Sequence, residues 1–256
     1  MSSPLAHLVL ARLRESFRQP ETIFWTFLFP ALLAVALGVA FRGERPDPSA
    51  VGIVAEPGLR YIDFLIPGLL GMNLMGGGLW GIGWSIVEMR IRKLLKLQLA
   101  APMRRRDFLL SHILTRVCFV PLEVVPLLIL AGLIFNVTMS GSALDLAVVA
   151  AAGALSFAGL GTLLASRART TETIYGLINL CTLPMIVLSG VFFSTRRFPD
   201  ALQPLIKALP LTALIDALRA VINDGASILS LGPQFLVLGL WGAFSFAGTR
   251  WLFRWS

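Results

Sequence analysis

Side chains able to do covalent or metal chemistry are few in this 256-residue chain, and their spacing does not favour it. His7 and His112 have no Cys or carboxylate cluster at ligand spacing, so they do not outline a metal site. Ser189, in LSGVFF, has no base near it in sequence, and Gly190 after it reads as a helix break. Cys118 and Cys181 both fall in apolar runs, where small buried thiols are expected and a disulfide framework is not. What remains is electrostatic. Glu123 is a lone carboxylate inside an apolar run, flanked by Pro121 and Pro126. Seven cations (Arg90, Arg92, Lys93, Lys96, Arg104, Arg105 and Arg106) crowd the stretch RIRKLLKLQLAAPMRRRDFLL. Guanidinium and ammonium groups at this density suit pairing with carboxylates on another molecule.

Wound as a helix at about 100° per residue, 90–99 places Ile91, Leu94, Leu95, Gln98 and Leu99 on one arc. Arg90, Arg92, Lys93 and Lys96 take the opposite one. Leu97 is the exception, an apolar side chain on the basic arc, and Pro102 ends the helix before RRRD opens the next. Two readings follow for the segment from Glu88 to residue 107. It could simply anchor the chain at an anionic membrane surface, or it could be a docking surface where Leu97 supplies apolar contact and the cations pair with a partner's carboxylates.

The elements that must position these groups are membrane spans. Hydrophobic residues make up 56% of the chain and charged ones 14%, with mean hydropathy +0.80, far from the usage of soluble domains. A span needs about 20 mostly apolar residues. Six candidates satisfy this, at about 23–41, 64–87, 113–135, 146–166, 173–193 and 232–253. The third is the weakest, because it contains Glu123. No cleavable signal peptide is expected, since the first run follows the charged stretch 12–21 and is too long for one.

Counting Lys and Arg through six spans places fifteen on the side of the basic stretch, Arg116 among them, and seven on the other. Both termini are therefore expected in the cytoplasm of a multi-pass cell-membrane protein. The net charge of +8 becomes a topology signal. Nucleic-acid binding is not indicated, because the cations are dispersed over four segments.

Three flanking features complete a single domain over 1–256. In residues 1–20, Leu5, Leu8, Val9, Leu13 and Phe17 repeat at helical spacing opposite Arg12, Arg14, Glu15 and Arg18, describing a helix lying in the membrane surface. The second span contains NLMGGGLWGIGWS, whose glycines, with Gly71, suit tight helix packing, a hinge, or both. Between the fifth and sixth spans, 198–224 is apolar yet broken by Pro199, Pro204 and Pro210, as two short helices dipping into the bilayer and returning would be. Gly71, Asn73, Gly77, Gly81, Glu123 and Asn179 are the residues that could line a path or bridge helices; Thr182 is a further polar residue in a span.

The segments FLIPGLL, VEMRIRKLLKLQLAAPMRRRDFLLSHIL, LPMIVLSGVFF and LPLTALIDALRAVINDG, in this order, resemble the transmembrane subunit of type-2 ATP-binding-cassette exporters over nearly the whole chain. The resemblance implies an all-α integral membrane fold of six transmembrane helices in a bacterial inner membrane. It also implies an amphipathic elbow helix at the N-terminus, a cytoplasmic coupling helix between spans two and three, and re-entrant helices before span six. Where many members carry a glycine followed by an acid in the coupling stretch, this chain reads RKLLKLQL.

No GxxxxGK[ST] run occurs, so the chain is expected to hold no cofactor of its own. The resemblance places ATP and Mg on a separate ATPase subunit and pairs the permease with a second copy. It makes the chain a transport subunit, not an enzyme, exporting an amphipathic small molecule, lipid or lipid-linked glycan. An integral-membrane enzyme or an ion-coupled carrier is the rival, the latter calling for more polar residues at mid-membrane.

Overall fold

Each apolar run becomes a helix, because a backbone without water must satisfy its own N–H and C=O groups. The computed structural model describes Arg18 and residues 20–41, 59–94 and 105–252. The surface helix expected over Leu5–Phe17 lies outside them, as do Lys96, Leu97, Pro102 and Arg104.

Helix α1 runs through Pro20–Ile23, a π turn at Phe24–Leu28 and Phe29–Ala40. Helix α2 is Tyr61–Ile91, and its central Gly77–Trp84 is π-helical. There follow α3 (Arg105–Phe135), α4 (Ala143–Ala165), α5 (Thr171–Leu188), the short α6 (Gln203–Ala208) and α7 (Pro210–Ile222), and α8 (Gly232–Leu252). Five helices are long and apolar enough to cross a membrane: α2, Ile113–Phe135 of α3, α4, α5 and α8. The first expected span corresponds to a shorter apolar helix, Phe24–Ala40. The chain is thus an all-helical, multi-pass membrane protein among its described residues.

Polar side chains define the starts. The Ser142 hydroxyl accepts from the Leu144 N–H at 3.1 Å to open α4, and Thr170 accepts from the Thr173 N–H at 3.2 Å to open α5. At one end of the bundle Arg60 bonds Asp63 at 2.7 and 2.8 Å, and its other amine nitrogen donates to the Phe135 carbonyl at 3.1 Å. That contact ties the start of α2 to the end of α3.

The core gathers around α4, which packs on α8, on α7 and on the π segment of α2. Gly161 of α4 lies so close to Gly78 that a Cβ there would overlap the Gly78 carbonyl oxygen. Gly161→Leu should therefore cost about 1–3 kcal/mol by overpacking. Gly239→Ala, which meets nothing within 4 Å, should be neutral or slightly stabilising. Thermal unfolding of the two variants in lipid checks this.

Helix α7 is almost wholly buried, from Pro210 to Ile222, and Ser140 N–H bonds the Ile222 carbonyl at 2.8 Å. Its Arg219 guanidinium sits 3.8 Å over the Phe64 ring and donates to the carbonyl of Gly190. Gly190, at φ +74°, ends the polypeptide run after α5, as the sequence suggests. Cys118 departs from expectation: it is exposed on α3, because the helix turns its 114 and 118 positions away from the bundle, while Cys181 is half-buried.

Candidate functional site

Arg116 and Glu123 stand seven residues apart on α3, two turns, and so share one face. That face points into the protein. Their side chains are 5% and 3% exposed and form a bidentate pair: Arg116 Nη1 donates to Glu123 Oε1, and Nη2 to Oε2 at 2.8 Å. Nη2 also donates to the Leu74 carbonyl of α2 at 3.0 Å. Gly77 makes this possible, since any Cβ there would fall on the guanidinium. The glycine-rich stretch thus receives a charged side chain across the helix pair. Arg116, counted with the cytoplasmic cations by position, is instead an interior charge, because α3 begins a full two turns before the apolar run and carries it inward.

Glu123 also borders a pocket of about 80 Å³. Asn73 of α2, Thr26 and Phe27 of the π turn of α1, and Pro126 of α3 also line it. Asn73 donates from Nδ2 to the Thr26 carbonyl at 2.9 Å, holding α1 to α2. A widened helical turn at each side of a buried ionic pair is an arrangement that can shift without breaking a helix.

At the far end of α2, Arg90 reaches across to the C-terminus of α4. Its Nη1 donates to the carbonyls of Ala165 and Ala168 at 2.7 and 2.6 Å. A guanidinium on two carbonyls at a helix end satisfies acceptors that the helix leaves open and complements its dipole. Arg92 pairs with Glu88 at 2.7 Å, both side chains substantially exposed. The backbone then turns left-handed at Lys93, φ +60°, so the continuous helix expected over 90–99 is interrupted there and α2 ends at Ile91. Lys93 N–H closes that end on the Arg90 carbonyl. The backbone of Arg105 and Arg106 opens α3.

Of the residues expected to line a path, Asn73 and Glu123 come together at the pocket. Gly71 is buried against Ile215 of α7, and Gly77 holds Arg116. Gly81 is exposed, with nothing within 4 Å of where a side chain would begin. Asn179 is half-buried on α5. Two contacts that the sequence did not announce also emerge here. Arg90 acts as a clasp between helices, and Tyr175 of α5 meets Trp80 and Trp84 of α2 edge-on, with ring centroids 4.9 and 4.8 Å apart.

Known proteins bear on this arrangement in one respect. The family model described as ABC-2 type transporter matches residues 5–223, most of the chain and every helix named above except α8. No curated protein matches it.

Proposed function

The chain belongs to the ABC-2 type transporter family, and on that premise we propose that it is the permease subunit of an ATP-driven exporter. Members of this family are transporter components that typically work with an ATPase partner. In this reading ATP and Mg bind on that ATPase, and residues 88–107 dock on it. Residues 1–20 form an elbow at the cytoplasmic surface, and both termini lie in the cytoplasm. Phe24–Ala40, extended by its flanking turns, supplies a sixth span. Helices α6 and α7 enter the outer leaflet and return, shielded by α2, α4 and α8. A second copy of the permease completes the path for an amphipathic small molecule, a lipid or a lipid-linked glycan across a bacterial inner membrane.

The Arg90 clasp is the observation that carries this reading. A surface anchor needs only positive charge near lipid headgroups. Here one cation of the basic stretch is instead spent on fixing the end of α2 to the end of α4 and the turn into α5. A push on the connector after Arg92 would therefore reach α4 and α5 as well as the two helices it joins. The interior Arg116–Glu123 pair then carries α3 along with α2 through Leu74.

Leu97→Asp together with Lys93→Glu tests the docking surface. The pair should weaken retention of the ATPase on the tagged full-length permease by about tenfold or more, the size of a lost contact hot spot. Membrane insertion should be unchanged. Unchanged retention of the ATPase would mean that the stretch serves only as a surface anchor.

A further inference from the structure

The pocket beside Glu123 lies at mid-membrane depth. Glu123 comes ten residues after the start and twelve before the end of the apolar stretch Ile113–Phe135 of α3. A volume of about 80 Å³ is far below the roughly 300–1,000 Å³ of sites that enclose a drug-sized molecule, so the pocket does not hold a transported solute. It does have room for two water molecules at about 30 Å³ each. The bidentate pair also leaves its surroundings neutral overall, which gives an ion no net charge to bind.

A cavity with apolar walls stays dry, whereas one that offers two to four polar partners holds water. Here the partners come from three helices. Each Glu123 oxygen accepts one guanidinium N–H and keeps a second acceptor site. Asn73 spends one amide N–H on the Thr26 carbonyl and keeps another, together with Oδ1. The two prolines that line the pocket add acceptors. Pro30 has no N–H for the Thr26 carbonyl, and Pro126 has none for the Leu122 carbonyl, each one turn earlier in its helix. In the same ion pair, Arg116 Nε is buried and bonds no acceptor among the described residues.

We propose that this pocket is a hydration site, where one or two waters bond the Glu123 carboxylate and the Asn73 amide and let the Arg116–Glu123 pair part when α2 moves against α3. Arg116 is held from α2 through the Leu74 carbonyl, so a displacement of α2 draws the guanidinium away from Glu123. A carboxylate left bare at that depth would resist the movement. Water already at its oxygens replaces the lost donors without entering through lipid. Hydration of the pocket is independent of the permease reading; only its consequence for transport rests on that reading.

The test is X-ray radiolytic footprinting of the full chain in nanodiscs, in which hydroxyl radicals form from water held against a side chain and oxidise it. Leu127 lines the pocket and is 5% exposed, while Leu65 and Leu69 are fully buried away from it. Leu127 should be oxidised at least about fivefold faster than either, the contrast between a wet and a dry interior. Ala31→Leu fills the pocket from α1, and Leu130→Phe fills it from α3. Each should bring Leu127 down to the rate of Leu65 while the thermal unfolding midpoint holds or rises, so the result does not hang on one variant folding. In proteoliposomes with the ATPase, both should lower transport per ATP by about tenfold, and Gly239→Ala, on α8, should stay within about twofold. Leu127 oxidised no faster than Leu65 would overturn the hydration site, as would oxidation that neither filling variant changes. Filled, dry variants that transport normally would overturn the role of water in parting the pair. Footprinting needs neither nucleotide nor ATPase, so absence of transport by the unmodified complex counts against the exporter reading alone.

Discussion

Arg116→Met is expected to destabilise the chain by about 3–5 kcal/mol, and Glu123→Leu by a similar amount, because each leaves one charge buried without its partner. Both side chains are almost fully enclosed. Arg116→Met would also remove the cross-helix donor to the Leu74 carbonyl and open a void beside Gly77. The double variant should recover most of the loss, since an apolar pair of similar volume is often as stable as the ions it replaces. Reversible unfolding of the four proteins in mixed micelles gives the coupling energy through a double-mutant cycle. Additive losses would mean that the two residues do not act as a pair.

If the pair serves only stability, the doubly apolar variant should also transport normally. The geometry predicts otherwise. The guanidinium bridges α3 to a carbonyl one turn before the π segment of α2, so its removal uncouples those helices even when the fold survives. Transport should fall while stability is restored.

The second large effect concerns Arg90. Arg90→Ala removes two short charge-assisted bonds to Ala165 and Ala168, each worth about 1.5–3 kcal/mol when a charged group is involved. The permease should still insert and bind its ATPase, because Arg90 Nη1 is turned onto α4 and the other cations of residues 88–107 are kept. Hydrolysis should continue while transport per ATP drops by about tenfold. Arg90→Lys, a point charge that cannot span both carbonyls in a fixed fork, should fall between. Parallel measurement of hydrolysis and solute movement in one proteoliposome sample separates uncoupling from simple loss of assembly. An unchanged ratio in Arg90→Ala would remove the clasp from the force path.

Long apolar runs made the spanning helices legible, since period and length alone identify them. The two short helices before α8 were legible as well, from prolines that stop each piece short of spanning length. Electrostatic partners were harder. Arg116 and Glu123 have the i, i+7 spacing that places them on one face of α3, so the pairing could have been drawn from the sequence. Counting cations by side of the membrane obscured it, because that count assigns an arginine near a span end to the loop. Arg90 gives no such local signal: its acceptors lie 75 and 78 residues away and are main-chain carbonyls, which every residue possesses.

The helical wheel drawn through 90–99 is interrupted within the described residues: α2 ends at Ile91 and the backbone turns left-handed at Lys93, while 95–99 lie outside them. Helix propensity along RIRK carries no sign of that turn. Likewise the glycine run in α2 announced close packing without saying against what. Gly77 accommodates a guanidinium, Gly78 sits against Phe157, and Gly81 meets open space. Three glycines of one motif have three different neighbours, which only the packing of α3 and α4 could assign.

The most direct test reconstitutes the tagged full-length chain in liposomes, alone and with the ATPase that co-purifies with it, and follows release of a loaded amphipathic dye. Vanadate-sensitive movement that appears only when both proteins and ATP are present is the predicted result. Movement by the chain alone, driven by an ion gradient and indifferent to vanadate, would contradict it.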